Sequence, residues 1–560
     1  MANLVFPFIG LIARIVKANF VRQTRRTDRV QADFLWKLLH EYRHTALGRE
    51  YNLGEIRTID QFRDRVPVLP YSGYESYIDR ICQGESNVLT PDPVAYLNLT
   101  SGSTGDRKLI PVTQRFQRLL GGANLTSIGF LNEALAARGL QFGKLLVTNS
   151  VQVQGRTSGG IPYGYASVGV LRMGKFLYEQ LFANCFETLL CSDSRSRHYL
   201  ALLFALRERS TAGIAANFPM LILRTCHYLE EYGEELIRDI EKGTIAPWLE
   251  LDPSVRDRLE RQWSCDPQRA GELREIMRSR GRLTPKAVWS NLAFIGTARG
   301  GTSDFYFENF PEYLGDTPVF GAVYSSAEAT FSIYPDVNTD GSILAINTGF
   351  FEFVPEDQWG LEHPQTRLAT EVEVGKYYRL LVTTYSGLYR YDIGDVVEVV
   401  GFFEQAPLIV FRYRRGGLLS STTEKTNEYH VTQVMQALQH EFGLPLEDFC
   451  VTLADEAIPA HYLVNVEIAE GHQLDNSQEF LAQFDRKLQA ANASYAFKRP
   501  TNYIPPPRLR ILKPGSFAIV RQRQLERGIP DSQLKFPHIS EDRQFLAGLS
   551  VEREIHLPGD

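Results

Sequence analysis

The run Asn98-Leu-Thr-Ser-Gly-Ser-Thr-Gly-Asp-Arg-Lys108 has the composition of a polyphosphate cradle. Gly102 and Gly105 remove two β-carbons, so that successive backbone N–H groups can converge on one concavity. Thr100, Ser101, Ser103 and Thr104 add hydroxyl donors, and Lys108 adds a mobile cation. The lysine follows Gly105 by three residues, which is not the Walker spacing. A polar hairpin loop could be written with the same residues, so the meaning of the run depends on what accompanies it.

Tyr324-Ser325-Ser326-Ala327-Glu328 follows the apolar run Val319 to Val323. Small residues ending a strand let backbone approach a flat ligand, and Glu328 offers the oxygen that Mg²⁺ prefers; the plain alternative is an exposed loop glutamate. Asp395 follows Gly394 and opens a new strand, where a carboxylate suits paired ribose hydroxyls or simply caps its own turn. Arg390 is expected to pair with a carboxylate or phosphate, or else to make a weak surface ion pair. Lys535 is a point charge of the kind used in phosphoryl chemistry, although alone it reads as solvated. His430 and His538 lack metal-ligand spacing and no G-x-S-x-G elbow occurs, so zinc and serine-hydrolase chemistry have no support.

The elements that must position these residues fill 560 residues, more than one core accommodates, so two or more domains are expected. A formal charge of −6 leaves no basic excess for nucleic acid. The six cysteines are scattered without a C-x-x-C pair, as reduced thiols of a cytoplasmic protein would be. Leu4 to Ile15 is apolar but interrupted by Pro7, Gly10 and Arg14; its charge comes too late for a secretory signal, and it is too short to span a bilayer. A terminal helix packing on its own domain is expected there, with a basic amphipathic helix at a membrane surface as the alternative. Asp33 to Tyr42 has helical spacing, and the stretches 196 to 208 and 218 to 241 read as helices. They separate short apolar runs at Leu145–Thr148, Ala287 through Ile295 and Val319–Val323, which read as buried strands of an α/β core. Leu344 to Val400 reads as β-rich, and Phe411 to Gly417 as a polar break before an α+β unit. The boundaries expected are therefore 1–411 for a large α/β domain, 412–417 for a hinge and 418–560 for a small domain. Nothing indicates a coiled coil, and a monomer is expected.

In this order the pieces resemble the adenylate-forming superfamily, and within it the Gretchen Hagen family of acyl acid amido synthetases, the auxin-responsive amino-acid conjugating enzymes. Thr100-Ser-Gly-Ser-Thr-Gly with Arg107-Lys108 is similar to the family's ATP-phosphate loop, and Tyr324–Glu328 to its nucleotide motif. Leu381-Val-Thr-Thr-Tyr-Ser-Gly-Leu-Tyr-Arg-Tyr391 with Gly394-Asp395 matches its most distinctive block. Phe411 through Glu424-Lys-Thr-Asn-Glu428 resembles its inter-domain segment, while Lys513-Pro-Gly-Ser-Phe517 and Ser532-Gln-Leu-Lys535 resemble its C-terminal signature. Five collinear motifs over nearly the whole chain are far more specific than one.

The resemblance implies an ATP- and Mg²⁺-dependent ligase of small-molecule carboxylic acids and amino acids, acting without nucleic acid. Thr100, Ser101, Gly102, Ser103, Thr104, Gly105 and Lys108 would hold phosphate, with Tyr324, Ser325, Ser326 and Arg414 at the nucleotide. Glu328 would hold the metal and Asp395 the ribose. Lys535 would neutralise developing charge, and Lys425 is a second phosphate candidate. A ligase of the same superfamily that passes the acyl group to coenzyme A or a carrier is the alternative, as is a non-catalytic nucleotide-binding relative. The chain departs from the plant pattern: its phosphate loop is one residue shorter, Ala327 and Ala329 stand for Ser and Cys, and Asp392 and His538 each stand for Arg. The segments expected to line the acyl pocket, 118 to 175 and 210 to 230, are too different to carry over a substrate.

Overall fold

The computed structural model describes residues 5–101, 107–166, 175–301, 303–415, 418–422, 424–454, 459–500, 503–526 and 534–557. They fall into two compact units: Met1–Arg299 with Phe310–Phe411, and Gly300–Asn309 with Arg412–Asp560.

In the first unit, helix α1 (Val5–Thr24) is followed by α2 (Thr27–Tyr42) and, after a hairpin, by the long α3 (Gln114–Ala136). Helices α1 and α3 pack closely because α3 presents Gly129, where a β-carbon would stand 2.6 Å from the carbonyl oxygen of Ala13. The hairpin strands β1 (Val94–Ser101) and β2 (Arg107–Thr113) share a sheet with two strands at Val153–Arg156 and Pro162–Gly164. A second sheet is wholly parallel, joining Lys144–Val147, Thr211–Ala215, Phe294–Gly296 and Val319–Phe320 in that order. Helices Ser194–Arg207, Pro219–Glu231 and Gly233–Lys242 accompany it, as parallel strands with crossover helices require. The strand expected from Ala287 onward is shorter than the apolar run. Thr284 caps a helical turn at Pro285–Val288, with proline at its first position, and pairing begins only at Phe294.

The β-rich stretch forms a seven-stranded sheet. Its backbone is β3 (Phe350–Pro355), β4 (Tyr377–Thr383) and β5 (Tyr391–Phe403), antiparallel neighbours in that order. The turn from β4 to β5 is tight. Gly387 lies at φ +85°, and a β-carbon there would sit 2.2 Å from the Leu89 carbonyl oxygen, so only glycine fits. Tyr42 donates to the Tyr385 carbonyl (2.8 Å), and the Tyr389 N–H donates to the Tyr74 hydroxyl (3.0 Å). Burial pushes both the Tyr42 and Tyr74 phenols well up, so both stay protonated donors.

Arg390 is 4% exposed and left-handed at φ +44°. Its Nε meets Glu352 Oε2 at 3.0 Å, and one terminal nitrogen donates to the carbonyls of Arg63 (2.7 Å) and Val66 (2.9 Å). Glu352 also accepts the Thr366 hydroxyl at 2.6 Å and approaches Arg63 at 3.5 Å. Of the two readings of Arg390, pairing with a carboxylate holds, and the pair is buried and not at the surface.

The second unit is a four-stranded sheet of β6 (Leu446–Leu453), β7 (Tyr462–Ile468), β8 (Arg508–Leu512) and β9 (Val551–Ile555) in sequential order. Helices α4 (Glu428–Phe442) and α5 (Ser477–Ala491) pack together beside it. The segment Gly300–Asn309, which the linear reading keeps with the large domain, groups here because Phe305 and Tyr306 pack on Phe449 and His538.

Removing one partner of a buried ion pair strands the other charge, which costs about 3 kcal/mol or more. Glu352→Gln should therefore lower unfolding stability by about that much in chemical denaturation. Substitutions at the exposed pair Arg486–Glu479 should change it by about 0.5 kcal/mol or less.

Candidate active site

Thr100 pairs with Lys108 and Ser101 with Arg107, so β1 and β2 close a hairpin whose tip is the glycine loop. Gly102, Ser103, Thr104 and Gly105, with the side chain of Ser101, lie outside the described residues. Lys108 stands at the loop's exit with its Nζ 5.6 Å from the centre of the Tyr71 ring. The Tyr71 hydroxyl accepts the Leu109 N–H at 2.9 Å, and burial pushes its phenol up to about 12.

Asn98, on the strand that feeds the loop, donates its amide to the Ala327 carbonyl at 3.1 Å. This contact joins β1 to the Tyr324–Glu328 turn, which closes on itself through Ser326 N–H to the Ala329 carbonyl (2.8 Å) and Glu328 N–H to the Ser326 hydroxyl (3.1 Å). Glu328 is not the exposed loop glutamate of the plain reading: it is 5% exposed, and Tyr391 donates to its Oε1 at 3.2 Å. Asp395 is 1% exposed and accepts the Tyr324 hydroxyl at 2.5 Å. Tyr391 and Asp395 both lie on β5, and each reaches the Tyr324–Glu328 turn across an irregular stretch of the strand. Tyr324 is held between the rings of Phe331 and Phe411, at 4.8 and 5.4 Å.

The first unit therefore brings together the ends of β1 and β2 with Thr100 and Lys108, the turn with Tyr324, Ser325, Ser326 and Glu328, and Asp395. Three residues that sequence reasoning did not assign complete the set: Asn98, Tyr71 and Tyr391. Tyr391 lies within the Leu381–Tyr391 block, four residues before Asp395, and that nearness was the available signal. Asp392, one of the departures, faces Arg379 at 3.4 Å and caps Gly394, a structural use. A cavity of about 700 Å³ lined by Phe34, Lys37, Arg115, Arg118 and Tyr385 reaches Pro93 and Ala95. It lies at the start of β1, away from the loop.

Arg414, Lys425 and Lys535 belong to the second unit, and all three are exposed. Lys535 sits between buried Leu534 and Phe536, in an alternation that turns it outward. His538, fully buried, anchors this segment. Its Nε2 lies 3.2 Å from Asp448 Oδ1, its ring stacks on Phe449 at 4.3 Å, and its N–H donates to Glu428 at 2.7 Å. Lys425 adopts φ +54° next to Glu424. Burial alone would raise the Glu424 carboxyl, but donors from the Tyr462 hydroxyl and the Ser421 and Thr422 N–H groups hold it below the usual range. Gly416 and Gly417 of the expected hinge, and Ser532 of the C-terminal signature, lie outside the described residues. The turn Lys513–Phe517 spends its own N–H groups on Glu467, from Gly515 (2.6 Å) and Phe517 (2.8 Å). Among the described residues no cluster of three His, Cys, Asp or Glu side chains could hold a metal ion.

Family models match nearly end to end: the GH3 family N-terminal domain over residues 16–319, the central domain over 342–414 and the C-terminal domain over 429–544. The chain belongs to the GH3 family. Among curated GH3 relatives, an indole-3-acetic acid-amido synthetase of Arabidopsis thaliana, GH3.4, is 28% identical over 551 residues, covering 93% of this chain and 91% of the relative. The rice (Oryza sativa subsp. indica) indole-3-acetic acid-amido synthetase GH3.8 is 28% identical over 547 residues, covering 93% and 90%. The solved GH3.15 acyl acid amido synthetase superposes with a TM-score of 0.85 at 25% identity, covering 97% of both chains. A 2-hydroxyisobutyryl-CoA ligase shares the fold, with a TM-score of 0.55 at 13% identity over 93% of this chain and 89% of its own. The α/β architecture with a small α+β C-terminal unit, expected from the sequence, is thus that of adenylate-forming enzymes.

The helix behind Lys425 supplies a pH test. Asn427 accepts the His430 N–H at 2.9 Å, and His430 Nδ1 accepts the Asn427 N–H at 3.3 Å, a capping box that needs the neutral ring. Burial pushes His430 down to about 4. Because the unfolded ring titrates near ~6.5, its contribution to stability is complete above that pH and is lost on acidification toward 4. Urea midpoints measured from pH 7 to 4 should fall less steeply in His430→Gln, which keeps the cap without the titration.

Proposed function

We propose that this GH3 protein is an ATP-dependent acyl acid amido synthetase that joins a small carboxylic acid to an amino acid. The observation that carries the reading is likeness to amido synthetases over 93% of the chain, with Glu328 and Asp395 both buried at the hairpin that ends in the glycine loop. In the first half-reaction a carboxylate oxygen attacks the α-phosphorus of ATP. The bond to pyrophosphate breaks, giving an acyl adenylate. In the second, an amine nitrogen attacks the acyl carbon, the bond to the phosphate oxygen breaks, and AMP leaves as the nitrogen sheds its proton. Such phosphoryl transfers need positioning and charge neutralisation more than covalent catalysis.

Thr100, Ser101, Ser103, Thr104 and Lys108, with the N–H groups around Gly102 and Gly105, hold phosphate oxygens in this reading. Asp395 accepts the ribose hydroxyls, and Tyr324, Ser325 and Ser326 supply the surface for the base. Glu328 fits Mg²⁺, since one protein carboxylate plus phosphate oxygens and water is the usual way this ion is held. The bound ion supplies charge neutralisation at the phosphates; the Tyr391 hydroxyl fixes the carboxylate that receives it. Lys535 neutralises charge as pyrophosphate departs, and Lys425 and Arg414 are further phosphate and nucleotide contacts, with 412–417 as the hinge of the domain that carries them. No helix among the described residues is long and apolar enough to cross a membrane, and we assign the enzyme to the cytoplasm.

Acid-dependent exchange of pyrophosphate into ATP, screened over aryl, indolyl and fatty acids, tests the first step. Exchange with at least one acid is expected, and none across the panel would overturn the reading. Lys535→Ala should slow exchange about a hundredfold or more, as loss of a transition-state charge contact does, with the unfolding midpoint unchanged. AMP release stimulated by amino acids is expected for the second step. Stimulation by coenzyme A instead would reassign the acceptor, and ATP binding without exchange would make the chain a non-catalytic relative.

A further inference from the structure

Helix α1 presents two unlike faces. Ala13, Lys17, Phe20 and Thr24 are buried against the unit, with Lys17 paired to Glu133. The opposite side shows Phe8, Leu11 and Ile15, which are 64, 58 and 61% exposed. Their i, i+3, i+7 spacing makes one continuous apolar stripe. Arg22 continues the same stripe two turns on, Arg14 flanks it, and both are exposed. The helix contains no acidic residue, whereas the whole chain carries a net −6. Arg25, just past the end of the helix, is exposed but paired with Glu404 at 3.2 Å.

We propose that this face of α1 is a docking surface for an anionic lipid bilayer, lying in the interface with Phe8, Leu11 and Ile15 among the acyl chains and Arg14 and Arg22 at the headgroup phosphates. Charge complementarity selects this occupant. An apolar stripe flanked on its own helix by Arg14 and Arg22, with no carboxylate on that helix, matches an anionic surface, while a second copy would bring the same arginines face to face. Three side chains also fall well short of the roughly 800 Å² per partner that a stable protein interface buries. The uncharged run Val5–Ala13 is too short to cross the bilayer, so the helix rests on it. Binding of this kind is reversible and falls with salt.

Co-sedimentation of the full chain with vesicles tests the surface. Mixed phosphatidylcholine–phosphatidylserine vesicles should carry the protein down at low salt, and phosphatidylcholine alone should not. Added salt should release it. Leu11→Glu should lower the bound fraction about tenfold without moving the thermal unfolding midpoint, since the side chain it replaces is exposed. No sedimentation with the anionic vesicles, equal sedimentation with neutral ones, or unchanged binding by Leu11→Glu would each overturn the proposal. So would a concentration-dependent dimer of the free chain that Leu11→Glu abolishes.

Discussion

A buried carboxylate, Glu352, is the constraint on which the first unit's polar centre depends. Two guanidinium groups and a threonine hydroxyl converge on it. Arg390 can remain in a left-handed conformation only because that carboxylate and two carbonyls hold its side chain. The residue after it is Tyr391, which reaches Glu328, and β5 then carries Asp395 to Tyr324 of the same turn. A buried carboxylate with two guanidinium partners thus holds the residue that leads into β5, and β5 carries the partners of the Tyr324–Glu328 turn.

The second unit uses the same principle with different partners. Glu424 and Glu467 are each held by backbone N–H groups of a turn, and each turn belongs to a block the sequence marks as distinctive. Burial raises the Glu467 carboxyl, whereas denser donation keeps Glu424 low. Residues that look like ligand-binding signatures are here partly a means of shaping backbone. The lysines beside these two turns, Lys425 and Lys513, are exposed.

Much of this organisation was legible in the chain. The β-rich stretch, the helices and the glycine hairpin all show in local periodicity and turn residues, because those signals come from residues a few positions apart. Arg390 was read for its charge and not for its burial, since its partner Glu352 lies 38 residues away and no local pattern joins them. The pairing of Tyr324 with Asp395, and of Asn98 with the Ala327 carbonyl, escaped for the same reason. The apolar run from Ala287 misled because a proline and a threonine cap outrank apolar content at a helix start. Gly300–Asn309 was assigned by sequence order, but its aromatic residues pack on elements far along the chain.

The amide of Asn98 carries a consequence for how this hairpin tolerates change. It ties the turn bearing Glu328 to the shaft of β1 and not to the tip of the loop. The separation of strand and carboxylate is therefore independent of the number of residues at the tip. A change in the length of the segment between Ser101 and Arg107 therefore leaves the Asn98 tie, and with it the position of the carboxylate, in place.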